Sequence, residues 1–218
     1  MNRRVLLGIV IGVVVVAALV VGGIVAFGGD EGNREAVQAQ RARALTELEG
    51  ELLAPADLPA GYTEATTGFA RVAQGAQCGV NPRSEREGRI ATTRIAFQNS
   101  SGGRQTELHE TLTRYTDKTV GDVMTKARAL ATDCATFTEE LGGSQLTLAT
   151  APLEFPAILE ETVAFKVTGT AGGAPFVVDQ VFMRQGLDVV IIVHGGPGGV
   201  DTAVTQELAR KAADKARA

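Results

Sequence analysis

The chain has 218 residues, a net charge of −4 and 44% hydrophobic residues, with two cysteines and no tryptophan. Setting Arg3 and Arg4 apart leaves −6 on the remainder, and no basic run occurs. These features exclude nucleic acid and anionic lipid surfaces as expected partners. The length suits one domain of real core size plus a linker.

Val5 to Phe27 is a run of 23 residues without a charged side chain, preceded by Arg3 and Arg4 and followed by Asp30 and Glu31. A helix rises about 1.5 Å per residue, so residues 5–27 can cross a hydrocarbon core of about 30 Å with some tilt. The two arginines abut the run directly and a long C-terminal domain translocates largely regardless of charge. The expected orientation therefore leaves residues 1–4 in the cytoplasm and the rest outside, although Arg34, Arg41 and Arg43 stand near the far end. The run is longer than a signal-peptide core, which favours an uncleaved anchor. Ala26 and Gly28 keep cleavage as the alternative. Gly8 and Gly12 form a GxxxG pair that would let two membrane helices approach, so a homodimer through this segment is one expectation. The other is that glycine is merely frequent in such helices.

Residues 28–50 are expected to form a helical linker or stalk, or a first helix packed on the domain, and residues 51–218 the extracytoplasmic domain. From Asn33 to Glu49 helix formers dominate, with Val37, Arg41, Leu45 and Leu48 along one stripe. The segment 52–62 is too rich in Pro and Gly for regular structure. Arg89 to Gln98 and Glu107 to Tyr115 read as paired strands across the turn Asn99-Ser100-Ser101-Gly102-Gly103.

A helix is predicted over Val120 to Leu141, with Thr119 and Asp122 as a capping box and Gly142-Gly143 as its end. Its apolar positions Val123, Ala127, Leu130, Cys134, Phe137 and Leu141 recur at three- and four-residue steps, which places Cys134 toward the core. Four strands follow, over 145–150, 162–169, 176–184 and 187–194. The run Val189 to Val193 suits a strand covered on both faces. A last helix starts at Asp201 or Thr202 and reaches about Arg217. Hairpin connections throughout predict the α+β class, a mostly antiparallel sheet with helices packed against it.

Cys78 and Cys134 are expected to form a disulfide, as two cysteines in an exported domain usually do. Neither has metal-ligand neighbours, so no metal and no cofactor is expected. His194-Gly195-Gly196-Pro197-Gly198-Gly199 is similar to the oxyanion-hole element of some α/β-hydrolases. That chemistry needs a downstream G-x-S-x-G and a histidine, and neither serine nor histidine follows Gly199, so the segment reads as a flexible turn. His109 reads as a strand residue. Glu139-Glu140 and Glu160-Glu161 are adjacent pairs that diverge in regular structure and read as solvated charges. No enzyme is expected, and the sequence names no catalytic or ligand-binding residue.

Four segments together carry a family resemblance: Leu53-Ala54-Pro55-Ala56-Asp57-Leu58-Pro59-Ala60-Gly61-Tyr62, Asp133-Cys134-Ala135-Thr136-Phe137, Val181-Phe182-Met183-Arg184-Gln185-Gly186-Leu187-Asp188-Val189-Val190, and the terminal helix. The exported part resembles the PknH-like extracellular sensor domains of actinobacterial envelopes and related exported lipoprotein domains. The resemblance implies an α+β domain with a cleft for a small ligand or envelope component. A structural or adaptor role, docking another envelope protein, is the alternative. Two departures accompany it: Met1 to Arg4 leave no room for an intracellular kinase, and the cysteines suffice for one disulfide where the kinase-linked domain has two.

Overall fold

The computed structural model describes residues 31–65, 88–101, 105–141, 144–171 and 174–217. Residues 5–27, with Gly8 and Gly12, lie outside the described residues, as does Cys78. Among the described residues no helix is long and apolar enough to cross a membrane.

Helix α1 (Glu31–Glu51) leads through a 3-10 turn (Pro55–Asp57) into β1 (Tyr62–Glu64), β2 (Arg89–Asn99) and β3 (Thr106–Tyr115). Helix α2 (Asp117–Thr132) follows, then β4 (Thr136–Leu141), β5 (Ser144–Pro152), β6 (Glu161–Ala171), β7 (Ala174–Gln185), β8 (Asp188–Pro197) and α3 (Thr202–Lys215). The strands form one sheet in the order β1-β2-β3-β8-β7-β6-β5-β4, antiparallel at every pair, so the α+β expectation holds. After the β2–β3 hairpin, α2 carries the chain across one face to the far edge. A meander from β4 to β8 then walks back until β8 pairs with β3. Val189, Val190, Ile192 and Val193 of β8 are buried on both faces, as their unbroken apolar run requires.

The opposite face is covered by α1 and α3. Leu48 and Ala44, one helical turn apart, bury against Phe97, Leu108 and Leu112, while Ala209, Ala212 and Ala213 bring α3 close onto Val190 and Ile192. The predicted α1 stripe is corrected here. Val37 and Leu45 remain 40% and 36% exposed, because the helix meets the sheet only over its last turns and Ala44 and Leu48 face it. The α2 face holds Tyr115, Val120, Val123, Met124 and Val189, and beyond them Ala131, Phe137, Leu148, Phe165 and Val178.

The predicted helix over 120–141 is also corrected. It starts at Asp117 after Thr116, which makes no side-chain cap bond, and ends at Thr132, with Asp133 as its C-cap. Thr136 to Leu141 is instead β4, paired with β5 from Thr136↔Ala149 to Leu141↔Ser144. Phe137 and Leu141 suit a helical spacing, but Thr-Phe-Thr favours extended backbone and an open strand edge accepts it. Cys134 thus lies in the turn between α2 and β4, not on the helix, and is still buried.

Candidate functional site

The segment between α1 and β1 is strapped to α3. Lys211 Nζ donates to the Asp57 carbonyl at 2.7 Å, and Lys215 Nζ pairs with the Asp57 carboxylate at 3.2 Å. The same carboxylate accepts from Ala54 N, and that bond, more than Lys215, holds its pKa below the usual range. This strap delivers Pro59, Gly61 and Tyr62 to the end of the sheet where β8 gives way to α3. There Gly196 lies so close to β3 that an added Cβ would fall 2.2 Å from the Gln105 carbonyl oxygen.

The His-Gly-Gly-Pro-Gly-Gly segment is therefore not wholly a turn. His194 to Pro197 complete β8, and only Gly198 and Gly199, at φ of 76° and 88°, form the reversal into α3. Asp201 caps α3 by accepting from Ala203 N at 2.9 Å, as the sequence predicts.

His194 is 2% exposed and occupies the centre of a buried hydrogen-bond chain. Its Nδ1 lies 2.8 Å from Thr205 Oγ1, and its Nε2 lies 2.7 Å from the Tyr62 hydroxyl. Thr205 Oγ1 donates to Asp179 Oδ2 at 3.1 Å, and Thr202 Oγ1 donates to the same oxygen at 2.9 Å. Lys166 Nζ stands 3.4 Å from Asp179 Oδ1 and compensates a carboxylate that is otherwise fully buried.

The direction of the chain follows from the carboxylate. Thr205 spends its proton on Asp179, so it accepts from His194 Nδ1–H. A neutral imidazole protonated at Nδ1 has a bare Nε2, which accepts the Tyr62 proton. Burial holds the His194 pKa down to about 4, against the pull of Asp179 and Asp201, so the ring is neutral at pH 7. Burial also raises the Tyr62 pKa, while Thr106 opposes the rise. Protons therefore point one way along Tyr62, His194, Thr205 and Asp179.

Above Tyr62 and His194 opens a cleft of about 260 Å³, whose polar rim carries Asn99, Ser101, Thr106 and Asp201 and whose apolar wall includes Pro59, Val200 and Val204. A larger hollow of about 420 Å³ lies beside α1, lined by Ala39, Arg43, Glu47, Ile90 and Arg114. The Tyr62 cleft is the candidate site, because a fixed polar network forms its floor.

The other residues singled out in the sequence lie elsewhere. His109 is on β3, with Nε2 3.3 Å from Glu107 Oε2. Glu160 accepts from Gly186 N and Gln185, while Glu161 pairs with Arg128, so the two diverge as expected. Glu139 and Glu140 lie in β4. Among the described residues no cluster of histidine, cysteine and carboxylate side chains could hold a metal ion.

Sequence reasoning passed over Tyr62, Asp179 and Thr205. Asp179 had a signal: a carboxylate inside the apolar run Phe176-Val177-Val178-Asp179-Gln180-Val181-Phe182 must find partners when buried. Thr205 sits on the buried face of α3 with Leu208, Ala209 and Ala212, which is a weaker signal of the same kind.

No protein-family model matches the chain, and no curated protein matches it significantly in sequence. A protein of Bacteroides thetaiotaomicron VPI-5482 overlaps over 70% of this chain and 41% of that one, at 10% identity and a TM-score of 0.39, too low to define a common fold. The fold of this chain is similar to that of the extracellular domain of PknH from Mycobacterium tuberculosis, with a TM-score of 0.59 at 13% identity over 80% of this chain and 97% of that domain.

Proposed function

We propose that the protein is a membrane-anchored, extracytoplasmic sensor-like module that binds a small ligand in the Tyr62 cleft and performs no catalysis. The single observation that carries the binding site is the ordered chain from Tyr62 to Asp179, which holds the Tyr62 phenol in one orientation at the cleft floor. Preorganised polar groups beside an apolar wall are what a small-molecule site needs. The similarity of fold to an extracellular kinase domain and the apolar run at 5–27 support the location outside the cytoplasm. Catalysis is disfavoured by the same chemistry. A histidine with a pKa near 4 is a weak base at neutral pH, and a tyrosine with a raised pKa is a weak nucleophile.

The adaptor reading has its own support. Residues 33–43 of α1 are exposed, and Val37 and Leu45 stand out beside the hollow at Arg43 and Arg114. Native mass spectrometry of the full-length protein, gently extracted from its own cells, separates the two. A reproducible small added mass that is lost on denaturation and reduced in Tyr62→Phe supports the ligand reading. A second polypeptide with no small added mass overturns it in favour of the adaptor.

A further inference from the structure

We infer that the Tyr62 cleft selects a neutral, hydroxyl-bearing ligand of the size of a single sugar ring. The inference rests on that cleft being the binding site, and it comes from the direction of its protons. Tyr62 gives its proton to His194. Its oxygen therefore offers lone pairs, not a proton, to the cleft, and a ligand must donate to it. Phosphates and ionised carboxylates have no proton to give.

Charge points the same way. Among the described residues that line the cleft, Asn99, Ser101 and Thr106 are neutral, Asp201 carries the formal charge, and none is a lysine or arginine. An anion would lose hydration beside a carboxylate without gaining a cation from these residues. A ligand ammonium gains little from Asp201. That carboxylate already accepts from Ala203 N at the N-terminus of α3, where the helix dipole repels positive charge.

Hydroxyl groups both donate and accept, which suits an acceptor at the floor and an Asn99 amide at the rim. The Tyr62 and Pro59 rings offer the apolar surface that the C–H face of a sugar ring covers. At about 260 Å³ the cleft lies just below the roughly 300 Å³ at which drug-sized sites begin, which is room for one ring and not a chain.

The protein carries its own reporter. It has no tryptophan and two tyrosines, Tyr62 and Tyr115, so Tyr115→Phe leaves Tyr62 as the sole fluorophore of its kind. The full-length variant, with its fold checked by circular dichroism, is titrated at fixed ionic strength with methyl glycosides of glucose, galactose, mannose and arabinose. Glucosamine and glucose 6-phosphate are the charged counterparts. Wild-type protein is followed by calorimetry in parallel, in case the variant does not fold. The expected result is a saturable change with at least one neutral sugar, bound tenfold or more tightly than the charged compounds, and weakened about tenfold by Asn99→Ala. Preference for a charged compound at Tyr62 overturns the ligand class and leaves the cleft as a binding site. No saturable response to any neutral sugar at 100 mM, with a native added mass still present, likewise overturns the class alone. Calorimetric binding that leaves Tyr62 emission unchanged overturns the cleft itself.

Discussion

Glu110, at the middle of β3, accepts a hydrogen bond from Leu53 N at 2.7 Å, tying the central sheet to the residue that ends the run out of α1. The carboxyl is fully buried among Leu108, Leu112 and Leu48, and its second oxygen has no hydrogen-bond partner among the described residues. Burial pushes its pKa up to about 7, although the Leu53 amide pulls the other way.

The folded state therefore holds this proton more tightly than the unfolded chain does. The contribution of Glu110 to stability is fullest below its ordinary value of 4.5, falls as pH rises toward 7, and is level above that. Glu110→Gln keeps an acceptor for Leu53 and removes the ionisation, so it should flatten this part of the profile. At pH 8 it should equal or exceed the wild type in stability, by at most about 3 kcal/mol. Urea unfolding at pH 5 and pH 8 measures this. A variant less stable than the wild type by the same amount at both pH values would show that ionisation is not the issue.

His194 shifts in the other direction. Its folded pKa of about 4 lies below the ordinary 6.5, so its stability contribution is complete above 6.5 and is lost as pH falls toward 4. The nitrogen-15 spectrum of the ring should show the neutral Nδ1–H tautomer at pH 6, and an Nε2–H signal would refute the proton order. Thr205→Val removes the hydroxyl between His194 and Asp179, at a cost of about 1–3 kcal/mol for each buried group left unpaired. Thr205→Ser should recover most of that loss and keep the tautomer.

Gly61 has a φ of 96°, and a Cβ there would fall 2.3 Å from Ser101 Oγ. Gly61→Ala should destabilise the fold by about 1–2 kcal/mol through the left-handed backbone alone. It should also push the Ser101 rim away and weaken any ligand of the cleft. The denaturation midpoint should fall with an unchanged slope. A midpoint equal to that of the wild type would show that the lead-in loop and the rim move together freely.

For Cys78 and Cys134 the expectation is a disulfide. It would close a loop of 56 residues and stabilise the fold by roughly 4 kcal/mol in the chain-entropy account. Cys134 is buried in the turn after α2, where a covalent tie would hold the start of β4. Mass spectrometry after alkylation should find both thiols blocked until a reductant is added. Alkylation of both without reduction would sink the pairing.

Patterns of short range were legible in the sequence. The hairpin β2–β3, the strands β5 to β8 and the capped helix α3 could be read because side-chain alternation, turn residues and an N-cap act within a few residues of one another. The doubly covered strand at Val189 to Val193 was legible for the same reason. Tertiary pairing decided the rest. Thr136 to Leu141 became a strand because β5 offered it a ladder. Leu45 lost its place in the core to Ala44 because of where α1 meets β2. Apart from the buried carboxylate of Asp179, which its apolar neighbours in sequence signal, and the weaker signal of Thr205 on the buried face of α3, the candidate site is of this second kind. Tyr62 and His194 are 132 residues apart, and Asp179 and Thr205 are joined only by the docking of α3 on the sheet. A hydrogen bond depends on distance and direction in space, and these are set only when β8, α3 and the loop after α1 pack together.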